Sequence, residues 1–155
     1  MKVELSPLKF KSFYVTEISY EFNLEAEDGE LELDELPYDI DIDYLPGNSS
    51  DSIFAVYIKL QVNNGKSKLP GHSFFINAGG LFEIDPDLEF PESALKNLRN
   101  LSPLTMLISS LRGFIKQLSS NSPQGGYLLP SIDIFDLIEK KGKKKKRRVN
   151  TKIIK

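Results

Sequence analysis

The sequence predicts an α+β domain in which a four-stranded antiparallel meander comes first and helices packed on one face of that sheet come second. Three observations carry the prediction. Apolar residues alternate with a period of two in four runs up to Ile84, and they change to helical spacing after Pro86 and Pro91. The two most regular strands are joined by a polar connection, Asn63 to Gly71, that is too short for a parallel crossover.

The first strand is Phe13 to Phe22 (FYVTEISYEF), with Tyr14, Ile18, Tyr20 and Phe22 expected on one face and Val15, Glu17, Ser19 and Glu21 on the other. Ten of the nineteen residues from Glu25 to Asp43 are acidic. This stretch is loop-like at Asp28-Gly29, then sets Tyr38, Ile40 and Ile42 against Asp39, Asp41 and Asp43 as a second strand that Pro46-Gly47 stops. Ile53 to Val62 is the clearest strand, with Phe54, Val56, Ile58, Leu60 and Val62 inward and Asn63-Asn64-Gly65 as turn chemistry. Phe74 to Ile84 is its antiparallel partner, in which Gly79-Gly80 marks a bulge or the close approach of another backbone. Ser102 then suits an N-cap and Pro103 the first helical position of a helix whose stripe is Leu104, Leu107, Ile108, Leu111, Ile115 and Leu118. Glu92 to Asn100 fits a shorter preceding helix, and Ile132 to Lys140, bounded by Pro130, a last one.

At 155 residues the chain has the length of one domain and 40% hydrophobic content, enough for a single core. It has no cysteine, which excludes disulfides and thiolate metal sites and is compatible with a reducing compartment. No apolar run reaches signal-peptide or membrane-span length, so the expected location is cytoplasmic, without membrane insertion. The net charge of −2 conceals a segregation: Lys140 to Lys155 holds ten basic residues and no acidic one, while residues 1–139 hold ten basic against 22 acidic, a net of −12. The domain is therefore placed at 1–139 and a basic tail, read as a disordered extension, at 140–155. The tail is the only part able to meet a polyanion such as nucleic acid, a ribosome or anionic lipid through counterion release.

Catalytic motifs fail on physical grounds. Gly65-Lys66-Ser67 lacks the glycine that a phosphate-binding loop needs five residues earlier, where Leu60 stands, and sits in a strand connection instead of before a helix. Gly71-His72-Ser73 lacks the second glycine of a nucleophile elbow, since Phe75 occupies its position, and His72 is the chain's sole histidine. Asp39, Asp41 and Asp43 form a carboxylate row without the turned loop of a calcium site, and a solvated strand face is the simpler reading. The expectation is a protein that is not an enzyme and needs no cofactor or metal.

These segments together resemble the SecB family of export chaperones over about Leu8 to Ile138. FYVTEISYE is similar to the family's first strand, IFAVYIKLQV and FFINAGGLFEI to its central hairpin with paired glycines, and LSPLTMLISSLRGFIKQL to its long helix. GGYLLPSIDIFDLI is similar to the loop with a Leu-x-Pro element that leads into the lid helix. The resemblance implies a homotetrameric, ATP-independent holdase that binds unfolded clients in apolar grooves and, in protein transport, passes them to the SecA translocase. By similarity the client groove would include Leu36, Tyr38, Ile40, Ile42, Leu104, Leu107, Leu111, Leu128, Phe135 and Ile138, although each equally fits an ordinary core or oligomer contact. Glu17 and Glu21 match the first-strand acidic pair of the translocase contact. Two departures weigh against export: Phe75 stands where the family places an acidic residue before the glycines, and the tail is basic. They favour a SecB-like chaperone dedicated to an antitoxin or another specific client, and a nucleic-acid or ribosome-associated protein acting through the tail is the rival from another class.

Overall fold

The computed structural model describes residue 2 and residues 5–24, 38–46 and 52–153. Four antiparallel strands, β1 (Leu8–Asn23), β2 (Ile40–Leu45), β3 (Ile53–Val62) and β4 (Gly71–Ile84), lie in the order β1-β4-β3-β2. Strands β2, β3 and β4 form a meander and β1 joins its far side, so the acidic connection between β1 and β2 links opposite edges of the sheet. Helices follow on one face, as the change of period predicts: α1 (Glu92–Lys96), a π turn (Asn97–Leu101), α2 (Ser102–Leu118) and α3 (Ile134–Ile153).

The core is the layer between sheet and α2. Alternate residues of β3 and β4, among them Phe54, Leu60, Phe74, Ile76 and Phe82, meet Leu104, Leu107, Ile108, Leu111 and Ile115 of α2, all buried. Period-two and period-3.6 stripes of matching apolar width close against each other, and each fully buried large side chain contributes about 1.5–3 kcal/mol. Leu118, expected on that stripe, lies at the exposed end of the helix.

Strand β1 departs from simple alternation. Register shifts fall between Phe10 and Ser12 and between Val15 and Glu17. The second inserts Thr16, whose hydroxyl donates to the Asn77 carbonyl at 3.1 Å. An inserted residue exchanges the two faces of everything beyond it. Phe13 and Val15 therefore share the core face with Tyr20, whereas Tyr14 lies on the opposite face, against the expected pairing of Tyr14 with Ile18, Tyr20 and Phe22. Tyr14 there covers Gly79, where an added Cβ would come within 2.7 Å of its ring, and meets Tyr57 edge-on at 6.4 Å. The glycine pair does not mark a bulge in β4, whose pairing with β3 runs unbroken from Glu83 to Phe74. The nearest atoms over the pair are side chains: Gly79 makes room for Tyr14, and Gly80 for Leu107, Phe10 and Phe82, each of which would stand 2.9 Å from a Cβ added there.

The helical run begins eleven residues earlier than a cap at Ser102 would place it. Glu92 opens it after Pro91, and Ser102 is itself helical, with φ −63° and ψ −45°, donating its N–H to the Asn97 carbonyl five residues back. Pro103 supplies the reason. Inside a helix its ring crowds the carbonyl four residues earlier and it has no N–H to donate, and a π turn directly ahead of it relieves both. The two helices expected on either side of residue 101 are thus one continuous helical rod.

Helix α3 starts where Asp133 caps it, its Oδ1 accepting the Asp136 N–H at 3.0 Å. It does not stop at Lys140. The helix runs from Ile134 to Ile153, past the end expected for it. Lysine is a good helix former, and Asp136–Lys140 and Glu139–Lys143, at 2.7 and 2.5 Å, are ion pairs with the acid one turn N-terminal to the base, the favoured order.

Candidate functional site

Strand β2 is an edge strand, and α3 and the segment before it run past it, leaving a groove of about 560 Å³. Ile40 and Ile42 form one wall and Ile132 and Leu137 the other. Asp41, Asp43 and Asp136 face Lys140, Lys141 and Lys143 around the rim. Lys141 crosses from α3 to the strand: its Nζ lies 2.5 Å from Asp43 Oδ1 and 5.7 Å from the centre of the Tyr44 ring. The arrangement combines an apolar floor with a rim of both charge signs. Among the described residues, no group of three or more His, Cys, Asp or Glu could hold a metal ion.

The segment that leads to α3 is tied to the end of α2 through Ser119 and to its middle through Arg112. The Ser119 hydroxyl donates to the Ile115 carbonyl at 2.7 Å and accepts the Tyr127 N–H at 2.8 Å. Arg112 Nε donates to the Leu129 carbonyl at 2.9 Å. Leu129 is fully buried, so its neighbour Leu128 turns outward and is 58% exposed.

At the other end of β2 lies an aromatic cluster. The His72 ring stacks on Phe74 at 5.8 Å, meets Tyr127 at 5.5 Å and takes the edge of Phe22 at 5.0 Å. Its Nδ1 is 3.2 Å from the Tyr20 hydroxyl. Burial pushes the His72 imidazole below its usual pKa, which keeps it neutral at pH 7. Burial also pushes the Tyr127 phenol up to about 12, with Tyr38 adding to the effect. Tyr38 pins the start of β2 to this cluster: its hydroxyl donates to the Pro70 carbonyl at 2.9 Å and accepts the His72 N–H at 3.2 Å.

The residues expected to bind a client fall into three groups. Tyr38, Ile40, Ile42 and Ile138 are half-buried where β2 and α3 meet the core, and Leu128 and Phe135, the latter 72% exposed, project from the loop and helix beside the groove. Leu104, Leu107 and Leu111 are at most 1% exposed and belong to the layer beneath; a helix stripe that covers a sheet has no surface left for a ligand, which corrects their assignment to an open groove. Leu36 lies outside the described residues. Ile132, Leu137 and Lys141 join the groove without having been expected there. For Leu137 and Lys141 a signal is present in the sequence, because Ile134, Leu137, Ile138 and Lys141 recur at helical spacing, with Phe135 off the stripe; Ile132, ahead of the helix, has none.

Glu17 and Glu21 lie on the sheet face opposite α2, as alternation requires beyond the bulge. Asn77 Nδ2 donates to Glu17 Oε2 at 2.6 Å, and Lys68 Nζ pairs with Glu21 Oε2 at 2.5 Å. Phe75, paired with Ser19 between them, carries the Lys59 ammonium 5.4 Å above its ring. No helix among the described residues is long and apolar enough to cross a membrane.

No family model matches the sequence, and no curated protein matches it significantly. Among solved structures the chain is similar to a SecB-like chaperone of Mycobacterium tuberculosis in complex with a ChAD peptide from the HigA1 antitoxin. That likeness has a TM-score of 0.54 at 13% identity and covers 81% of this chain and 88% of that one. A Streptococcus agalactiae protein of unknown function is similar at a TM-score of 0.44 and 12% identity, over 80% of this chain and 97% of that one. The first of these shows that the chain has a SecB-like fold.

Proposed function

We propose that this protein is an ATP-independent holdase that keeps unfolded polypeptides from aggregating by binding their apolar segments along the β2–α3 groove. The observation that supports it most directly is the groove itself: an apolar floor with a charged rim, and exposed Leu128 and Phe135 on the segments that bound it. Exposed apolar area of this kind is what a client binder needs, and several weak sites in one assembly gain by avidity. A homotetramer of two dimers would supply that multiplicity.

Within this reading a dedicated client, such as an antitoxin segment, is favoured over export through SecA. The structurally similar mycobacterial chaperone is bound to an antitoxin peptide. Phe75 lies between Glu17 and Glu21 on the open sheet face, and Glu21 is already paired with Lys68.

The test is aggregation of a chemically unfolded client with and without stoichiometric protein, in the absence of ATP, with mass determined by light scattering. Leu128→Asp and Phe135→Asp remove exposed apolar groups without touching the core. Each buried Leu or Phe contact is worth about 1.5–3 kcal/mol, so each variant is expected to weaken client binding about tenfold or more while the melting temperature stays put. Full protection by the double variant, or no protection by the wild-type assembly, would refute the proposal. Copurification from the native host, with Glu17→Lys plus Glu21→Lys as a second arm, separates a dedicated client from the translocase.

A further inference from the structure

Strand β3 departs from the usual polarity of an antiparallel sheet's open face. Its outward positions are Ile53, Ala55, Tyr57, Lys59 and Gln61, and the first three are apolar. Strand pairing extends them into rows across the sheet. Tyr14, Gly79, Tyr57 and Leu45 form one row, in which Tyr57 is 46% and Leu45 62% exposed. Leu81 and Ala55 lie side by side in the row beyond, and the exposed Ile53 follows. On the other side of Tyr57 the next row is Glu17, Asn77, Lys59 and Asp43. Both carboxylates of that row are taken: Glu17 accepts from Asn77 Nδ2, and Asp43 pairs with Lys141 and accepts the Tyr44 N–H. Lys59 is left with no ion pair among the described residues, its ammonium 5.4 Å above the Phe75 ring. A hollow of about 420 Å³ opens where the two rows meet, bounded by Thr16, Leu45, Tyr57, Lys59 and Asn77.

We infer that this hollow, on the sheet face away from α2, is a docking site for a short partner segment that presents an apolar side chain next to a carboxylate. The apolar group lies on Tyr57 and Leu45, and the carboxylate meets the Lys59 ammonium. An apolar patch beside polar groups is the usual mark of an interaction surface. Charge selects the carboxylate: one unpaired cation matches one monoanion, whereas a phosphate dianion would also face Glu17 and Asp43 in the same row. Size selects a segment over a second copy of the chain. From Ile53 to Tyr57 and from β1 to β2 the apolar rows span about 13 by 14 Å between Cα positions, roughly 200 Å², against about 800 Å² per partner in a stable dimer. About four extended residues cover that length.

The test titrates full-length ¹⁵N-labelled protein with two end-blocked tetrapeptides, Glu-Phe-Leu-Glu and its counterpart Lys-Phe-Leu-Lys, and reads amide shifts. Salt at 150 mM screens the −12 charge of residues 1–139 beyond about 8 Å. The acidic peptide is expected to shift the amides of Tyr57, Lys59 and Asn77 and to bind there about two- to tenfold more tightly than the basic one. Lys59→Gln should remove that preference and Lys59→Glu should reverse it. Tyr57→Ser combined with Leu45→Ser should weaken the acidic peptide about tenfold, since both side chains are exposed and their loss leaves the core intact. Melting temperature and client protection, measured on the same samples, should stay unchanged, so failure here is separable from failure of the holdase proposal. No binding by the wild type at millimolar peptide, equal affinity for the two peptides, or shifts confined to groove residues such as Ile40 and Leu137 would each overturn the inference. A fall in oligomer mass in the Tyr57→Ser, Leu45→Ser variant would also overturn it, by assigning this face to a second copy.

Discussion

Replacing Asn63 with alanine should destabilise the protein more than most surface-loop changes, because this one side chain organises the whole β3–β4 connection. Asn63 is 4% exposed and holds φ at +47°. Its Nδ2 donates to the carbonyls of Leu69 and His72 at 2.8 and 2.9 Å, and its Oδ1 accepts the Leu69 N–H at 2.8 Å. Its backbone N–H donates to the Asp39 carbonyl at 2.9 Å, which joins the connection to the start of β2. Alanine removes all three side-chain bonds. The His72 carbonyl is the most enclosed partner and bears the largest penalty, about 1–3 kcal/mol, and the two Leu69 groups, nearer solvent, add about 1 kcal/mol between them. A β-carbon without a local polar partner at positive φ costs about 1 kcal/mol more. The expected total is about 3–5 kcal/mol, a large share of the roughly 5–15 kcal/mol that holds a domain together. At about 2–4 °C per kcal/mol, the melting temperature should fall by roughly 6–20 °C. Urea denaturation followed by tyrosine fluorescence gives the free energy directly. Asn63→Gly loses the same bonds but tolerates positive φ, so it should lie about 1 kcal/mol above Asn63→Ala, and that difference isolates the backbone contribution. A loss below about 1 kcal/mol in Asn63→Ala would refute the reasoning and mean that water replaces these bonds at no cost.

Two further outcomes follow from the core and the aromatic cluster. His72 has its pKa lowered by burial, so as pH falls through about 6.5 the unfolded chain takes up a proton that the folded chain refuses, and stability decreases until the lower folded pKa is reached. Urea midpoints between pH 7.5 and 5.5 should fall for the wild type and flatten in His72→Gln; a midpoint that rises on acidification contradicts this. Leu107, fully buried between α2 and the sheet, should cost about 2–5 kcal/mol when truncated to alanine while client binding per folded molecule is unchanged. A variant that keeps its stability but loses client binding would return Leu107 to the groove.

Legibility in the sequence tracks the regularity of burial. Phe54, Val56, Ile58, Leu60 and Val62 alternate without interruption and all five are buried. Leu104, Leu107, Leu111 and Ile115 keep helical spacing and form the opposing wall. Tyr14 escapes simple alternation because a one-residue insertion at Thr16 leaves no mark in residue type, yet exchanges the faces of β1. Ser102-Pro103 reads locally as a helix start, and only the helix already running from Glu92 puts the same pair inside a continuous run, directly after a π turn. The candidate site is half legible: alternation points to Tyr38, Ile40 and Ile42, whereas Ile132 and Lys141 matter only because α3 passes β2.

The sequence by itself determined the α+β class, the strand partners of the central hairpin, the apolar stripes and the charge segregation, since each depends on residues close together along the chain. The tertiary structure decided which apolar residues are left for a partner. Leu107 and Phe135 are alike as apolar side chains on helices, and they differ in exposure because one helix face is already covered by a sheet while the other meets solvent. It also decided the fate of the basic run, for Lys141 lies 98 residues from Asp43 along the chain and reaches it only when α3 packs beside the edge strand. Which apolar faces stay open, and which distant residues pair, are properties of the assembled layers.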